Sequence, residues 1–143
     1  MKTLRQLIEG KSRKLAYVSP EQSVLRALEI MAEIDVGALL VLDGERLAGV
    51  FSERDYARKV ILQGKASRTT PVSEVMTGKV IYVTPDRTVE ECMAIMTEKH
   101  IRHLPILDEN KIVIGIISIG DVVKEMVSHQ KFIIGQLENY ITG

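Results

Sequence analysis

The chain is predicted to be an α/β protein of the α+β type, built from two β-α-β-β-α units packed as a pseudo-two-fold pair. Three observations carry that prediction. The segment from Val18 to Asp55 is written again from Val83 to Asp121, with about a dozen identities in one register and one added residue in the second copy. Each copy moves from a helical apolar period to two short apolar runs joined by a turn. Each copy closes on the same G-x-x-S-x-x-D, first at Gly49 to Asp55 and, 66 residues on, at Gly115 to Asp121.

Each unit opens on a short strand, Lys14 to Val18 and Val80 to Val83, followed by a turn at Pro20 and Pro85. Ser23 and Thr88 mark helix starts. The helices carry Val24, Leu28 and Met31 in one copy and Val89, Met93 and Met96 in the other, and end near Asp35 and His100. The two apolar runs that follow are ALLVLDGERLAGVF and HLPILDENKIVIGII. Asp43-Gly44 is a strong hairpin signal and Asp108-Glu109-Asn110 a looser one. A second helix begins after each S-x-x-D. A unit of three short strands and two helices is small for a core of its own. Two copies packed sheet to sheet bury both apolar faces and leave clefts between them.

Residues 1–66 form the first unit with its leading segment, residues 67–128 the second, and residues 129–143 a tail. Gly64 to Lys79 reads as a linker, with one helical turn in Pro71 to Met76 that is echoed by Leu4 to Ile8. The tail carries Phe132, Ile133, Leu137, Tyr140 and Ile141 as an apolar stripe, on a helix that Gly135 weakens. Such a stripe seeks either the chain's own core or a second subunit.

Hydrophobic residues are 45% of the chain, with no tryptophan and two phenylalanines, so the core is aliphatic. Nineteen basic and nineteen acidic residues cancel, so bulk charge gives no strong grip on nucleic acid or an anionic membrane. The one cysteine, Cys92, aligns with Ala27 as a small core residue, and a lone thiol suits a reducing compartment. No Cys/His metal spacing, no nucleophile–base set, no signal-peptide core and no long apolar span is present. The expectation is a cytoplasmic, non-catalytic, metal-free protein. His100 ends a helix, while His129, Arg58, Lys59 and Lys65 read as solvated. His103 is the histidine candidate for a site.

The repeated motif has two readings. Ser52 and Ser118 stand where a strand yields to a helix, and serine followed three residues later by a carboxylate is a helix cap. Replacing Asp55 or Asp121 by alanine then costs about 1 kcal/mol. The same geometry also makes half of a nucleotide site. Helix N–H groups and a serine hydroxyl meet a phosphate, and a carboxylate accepts from both ribose hydroxyls. Val50-Phe51 and Ile116-Ile117 are placed to flank a purine.

With V-S/T-P before each first helix, the L-D turn, I-R-H-L-P-I in the second copy and G-x-x-S-x-x-D in both, the sequence resembles a tandem pair of cystathionine-β-synthase (CBS) domains from about Leu4 to Met126. The resemblance implies a regulatory module with two clefts, often a homodimer, that binds adenosyl ligands: AMP, ADP, ATP, NAD or S-adenosylmethionine. It implies ribose contacts at Asp55 and Asp121 and phosphate contacts at Ser52 and Ser118. The adenine side falls to segments containing Ser12, Lys14 and Ala16, and Thr77 and Ile81. The cleft walls fall to Gly37 and Ala38, and to Arg102, His103 and Pro105. Asp55 is expected across from Thr77 and Arg102-His103, and Asp121 across from Lys14 and Gly37-Ala38. Arg54 precedes Asp55 where Gly120 precedes Asp121, so the Asp55 cleft is expected to be the more cationic and to suit more phosphate charge. The regulated partner protein is not legible.

Overall fold

The computed structural model describes residues 2–9 and 15–142; Ser12 and Lys14 lie outside the described residues. Helix starts fall where the polar caps stand. Ser23 accepts from the Arg26 amide ahead of α2 (Val24–Ile34), and Thr88 makes a reciprocal capping box with Glu91 ahead of α4 (Val89–Lys99). Both helices stop the same way. Asp35 and His100 adopt left-handed backbone at φ 55° and 56°, and their amides return to Met31 and Met96.

In the first unit β1 (Tyr17–Val18) pairs parallel with β2 (Ala38–Asp43), which pairs antiparallel with β3 (Arg46–Ser52). Gly44 takes φ 64° in the hairpin turn. In the second unit β4 (His103–Leu107) pairs antiparallel with β5 (Val113–Ser118), around a turn in which Asp108 Oδ1 accepts from the Asn110 and Ile112 amides. The strand expected over Val80–Val83 reduces to a single parallel bridge from Val83 to Ile106. After β3, α3 (Glu53–Asp55) passes directly into a π-helical turn over Tyr56–Ile61. After β5, α5 runs unbroken from Ile119 to Thr142. Gly135 sits within it without breaking it, because a single glycine costs only about 1 kcal/mol of helix propensity.

Three apolar clusters hold the chain. One lies under the first sheet, with Val18, Val24, Leu39, Val41 and Phe51 at its centre. A second lies under the other sheet, around Val83, Val89, Met96, Leu104 and Ile117. The third joins the units: Leu40 from β2 meets Leu107 and Val113 from the second unit. Strand alternation does this, since Leu39 and Val41 face one way and Leu40 the other.

Each unit's core is completed by the segment that precedes the opposite unit. The turn Val72–Glu74 belongs to the segment read as a linker, yet Val72 and Val75 are buried in the first cluster. Helix α1 (Leu4–Glu9) buries Leu4 in the second. The backbone bonds are equivalent. Val72 and Ser73 amides donate to Gln22 and Pro20 carbonyls at 2.8 and 3.0 Å, and Val24 donates back to Thr70 at 2.9 Å. Leu4 and Arg5 donate to Arg87 and Pro85, both at 2.9 Å, and Val89 donates back to Lys2 at 3.2 Å. The echo between the two segments is therefore a repeated clasp. Gly49 makes room for it: a Cβ there would stand 2.7 Å from both Met76 Sδ and the Thr77 carbonyl oxygen.

A clasp that completes a core has a measurable consequence at a position near the chain terminus. Leu4→Ala is expected to lower unfolding free energy by about 2–4 kcal/mol in urea. A loss below about 0.5 kcal/mol, as for a frayed terminus, would contradict it.

Candidate functional site

The capping box at Ser52 sets the position of the Asp55 carboxylate. Oδ2 accepts from the Ser52 amide and hydroxyl, both at 3.0 Å, while the Asp55 amide donates to Ser52 Oγ at 3.2 Å. Oδ1 accepts from Thr77 Oγ1 at 3.1 Å and pairs with Lys59 Nζ at 3.0 Å. Asp55 is one of two buried polar residues among those described. It thus does more than cap, and its removal strands a Thr77 hydroxyl and a Ser52 amide. The expected cost rises from the capping value to about 1–3 kcal/mol.

Thr77 reaches Asp55 because the clasp ends there. Its amide and carbonyl pair with those of Val50 at 2.9 and 3.1 Å. The chain then runs on through Lys79, Val80 and Ile81 as one wall of a cavity of about 970 Å³. Gly37, Val50, Ser52 to Asp55, Arg58 and Lys59 line it from the first unit, and His100 to His103 and Ile119 from the second. Asp55, Thr77, Arg102 and His103 thus line one cavity.

Gly37, expected opposite Asp121, lines the Asp55 cavity. Sheet register is the reason. Ala38 pairs with Ser52, and the Glu53 amide donates to the Gly37 carbonyl at 3.0 Å, so the start of β2 lies beside its own unit's motif. The same register sets His103 against Ser118, with Ile119 donating to Arg102 at 2.9 Å. The starts of β2 and β4 therefore meet between the two motifs, and a Cβ on Gly37 would stand 3.9 Å from His103 Cε1.

The remaining expected residues are placed elsewhere. Asp121 forms the second cap, with Oδ2 accepting from the Ser118 amide at 3.0 Å and its own amide donating to Ser118 Oγ at 3.1 Å. Neither residue lines the large cavity, and Gly120 is exposed beside them. Ala38 is buried at the start of β2, and Ala16 packs against the first cluster. Pro105 is buried in β4, where its carbonyl accepts the Val83 amide at 3.0 Å.

Arg58 is exposed and Lys59 half-exposed, as the solvated reading expects, and both also line the cavity. Their signal was the spacing: Lys59 follows Asp55 by four residues, the ion-pair distance on a helix. Lys79, two residues beyond Thr77, was also passed over. The wall thus carries Arg54, Arg58, Lys59, Lys79 and Arg102 against the carboxylates of Glu53 and Asp55. His103 is held below the ordinary imidazole range, chiefly by burial and also by the Arg102 charge, with Asp121 and Glu53 opposing. It is neutral at pH 7. Cys92 lies in the second core, where burial pushes its thiol up to about 11.

Among the described residues no cluster of three His, Cys, Asp or Glu side chains is placed to hold a metal, and no helix is long and apolar enough to cross a membrane.

The model of the CBS domain matches residues 6–61 and again 72–128. The chain is 39% identical over 142 residues to the CBS domain-containing protein CBSX3, mitochondrial, of Arabidopsis thaliana, covering 94% of this chain and 68% of that one. It superposes with a TM-score of 0.85 and 48% identity on a putative signal-transduction protein with CBS domains from Burkholderia ambifaria, covering 90% of this chain and 96% of the other. A more distant CBS domain pair, 22% identical with a TM-score of 0.79 and 90% and 98% of the two chains covered, was solved in complex with 5′-methylthioadenosine and S-adenosyl-L-methionine. Two matched repeats, joined through a shared apolar cluster and each closed by the other's leading segment, make this chain a tandem pair of CBS domains and a member of the CBS domain family.

Proposed function

We propose that the chain is a non-catalytic regulatory module that binds an adenine nucleotide (AMP, ADP or ATP) in the Asp55 cavity. The observation that carries this reading is the pairing, in one cavity of about 970 Å³, of a buried, positioned carboxylate with five cationic side chains. A cavity of that size is at the upper end of small-ligand sites. Asp55 takes the ribose hydroxyls. The base lies along Thr77 to Ile81 against Val50 and Ile81, and the phosphates run toward Arg54, Arg58, Lys59 and Arg102. Lys59 has a double role. In the free protein it neutralises Asp55; ribose hydroxyls displace it, and it turns to the phosphates. The buried, high-pKa thiol and the fully engaged Asp55 support binding rather than turnover. A ligand spanning walls from both units ties them together and changes the surface offered to a regulated partner.

The adenosyl ligands of the distant CBS pair support the ligand class and also favour a second reading, a sensor of S-adenosylmethionine. That ligand has no phosphate to meet the cations; NAD has a diphosphate and stands between the two.

Calorimetric titration separates these. AMP, ADP and ATP are expected to bind with affinity rising in that order. Lys59→Met should weaken ATP more than AMP, and Asp55→Asn should weaken all three alike. Saturable heat from S-adenosylmethionine alone would establish the second reading, and no heat from any of the four would overturn both.

The pH dependence follows from His103. Its folded-state pKa is lowered, so the imidazole is neutral at pH 7 and gains charge only below its ordinary value of 6.5. A bound polyphosphate favours the charged form and raises the imidazole pKa in the complex, so ATP affinity should rise as pH falls through the pKa of the complex toward that of the free protein. His103→Gln should remove the part of the rise that does not come from the phosphate itself. An unchanged profile in that variant would contradict a role for His103 at the phosphates.

A further inference from the structure

The helix that follows each motif is built differently in the two units. After Ser118, α5 is α-helical from its first residue, Ile119. After Ser52 the α-helix lasts only from Glu53 to Asp55 and gives way to the π-helical turn over Tyr56–Ile61, the only such turn among the described residues. Two amides there reach back five residues rather than four: Leu62 donates to the Ala57 carbonyl at 3.1 Å and Lys65 to that of Val60 at 2.9 Å. Turns of this kind are rare and concentrate at functional sites, so something must hold this one open.

The core does not hold it. Positions one and five residues beyond the motif aspartate face the core in both units: Tyr56 and Val60 pack in the first cluster, Val122 and Met126 in the second. An ordinary α-helix serves those contacts in the second unit. The two units differ at the position four residues beyond the aspartate. Lys59 pairs with Asp55 at 3.0 Å, whereas its counterpart Glu125 pairs with Lys2 at 3.8 Å. The turn also has slack to close into. Residues 61–66 are exposed, and Gly64 is left-handed at φ 68°, so a one-residue change of register is absorbed there without loss of core.

We propose that this turn is a two-state switch thrown by the ligand in the Asp55 cavity. With Lys59 on Asp55 it is π-helical. When ribose hydroxyls take the carboxylate and Lys59 swings to the phosphates, it closes into an α-helix continuous with Glu53–Asp55. Closure carries Ile61 and Leu62, an exposed apolar pair, to a new place on the surface, and so displays occupancy to a partner. The ligand has the differential contact that a switch requires, because Asp55 Oδ1 is taken by Lys59 in one state and open to ribose in the other. The switch rests on the nucleotide reading of the cavity.

NMR couplings through hydrogen bonds, from amide nitrogen to carbonyl carbon, identify each amide's acceptor and are the test. In the free protein Leu62 should couple to Ala57; at saturating ATP its acceptor should become Arg58, one residue later. Lys59→Met should show the Arg58 acceptor with no ligand present. A Leu62 amide still coupled to Ala57 once ATP has shifted the Asp55 and Thr77 amides would overturn the proposal. So would Arg58 as acceptor in the free wild-type chain, or Ala57 as acceptor in Lys59→Met. No shift of the Asp55 and Thr77 amides at saturating ATP would instead overturn the nucleotide reading, and the ligand-driven switch with it.

Discussion

Everything in this structure follows from the fact that neither unit has enough chain to close its own core. Three strands at most and two helices leave an apolar edge open on each. That edge is covered by a short segment lying ahead of the other unit in sequence, so Leu4 closes the second core and Val72 and Val75 close the first. The exchange makes the two units interdependent. It also explains the glycine of the repeated motif, which at Gly49 is the floor on which the incoming Met76 and Thr77 rest.

The clasp builds the site as well as the core. Its last residue in the first unit, Thr77, is pinned to Val50 by two backbone bonds and donates its hydroxyl to Asp55. The chain beyond it forms no strand and becomes the wall of an open cavity, with Lys79 and Ile81 on it. Stability and the proposed ligand recognition thus share the same few residues. Burial of Asp55 demands four polar partners, and those partners fix where a ligand's hydroxyls would have to arrive.

Much of this was legible because it was written twice. The repeat, the caps at Ser23, Thr88, Ser52 and Ser118, and the helix ends near Asp35 and His100 rest on local rules that a sequence displays directly. That Asp55, Thr77, Arg102 and His103 line one cavity agrees with what the repeat's symmetry led one to look for. What was not legible depends on packing at a distance. A Gly/Ser/Thr-rich stretch reads as linker, although Val72 and Val75 within it are core. Lys59 reads as solvent-facing until the carboxylate one turn earlier is known to be buried. That Gly37 also lies beside its own unit's motif is visible only in the strand register.

The central claim is that the cavity closed by Thr77 is where a nucleotide binds, and amide-resolved NMR titration with ATP tests it most directly. Shifts should concentrate at Val50 to Lys59, Thr77 to Ile81 and Arg102 to His103, with both units affected at once. Shifts confined to Ser118–Asp121 or to the end of α5, or no shifts at saturating ATP, would contradict it.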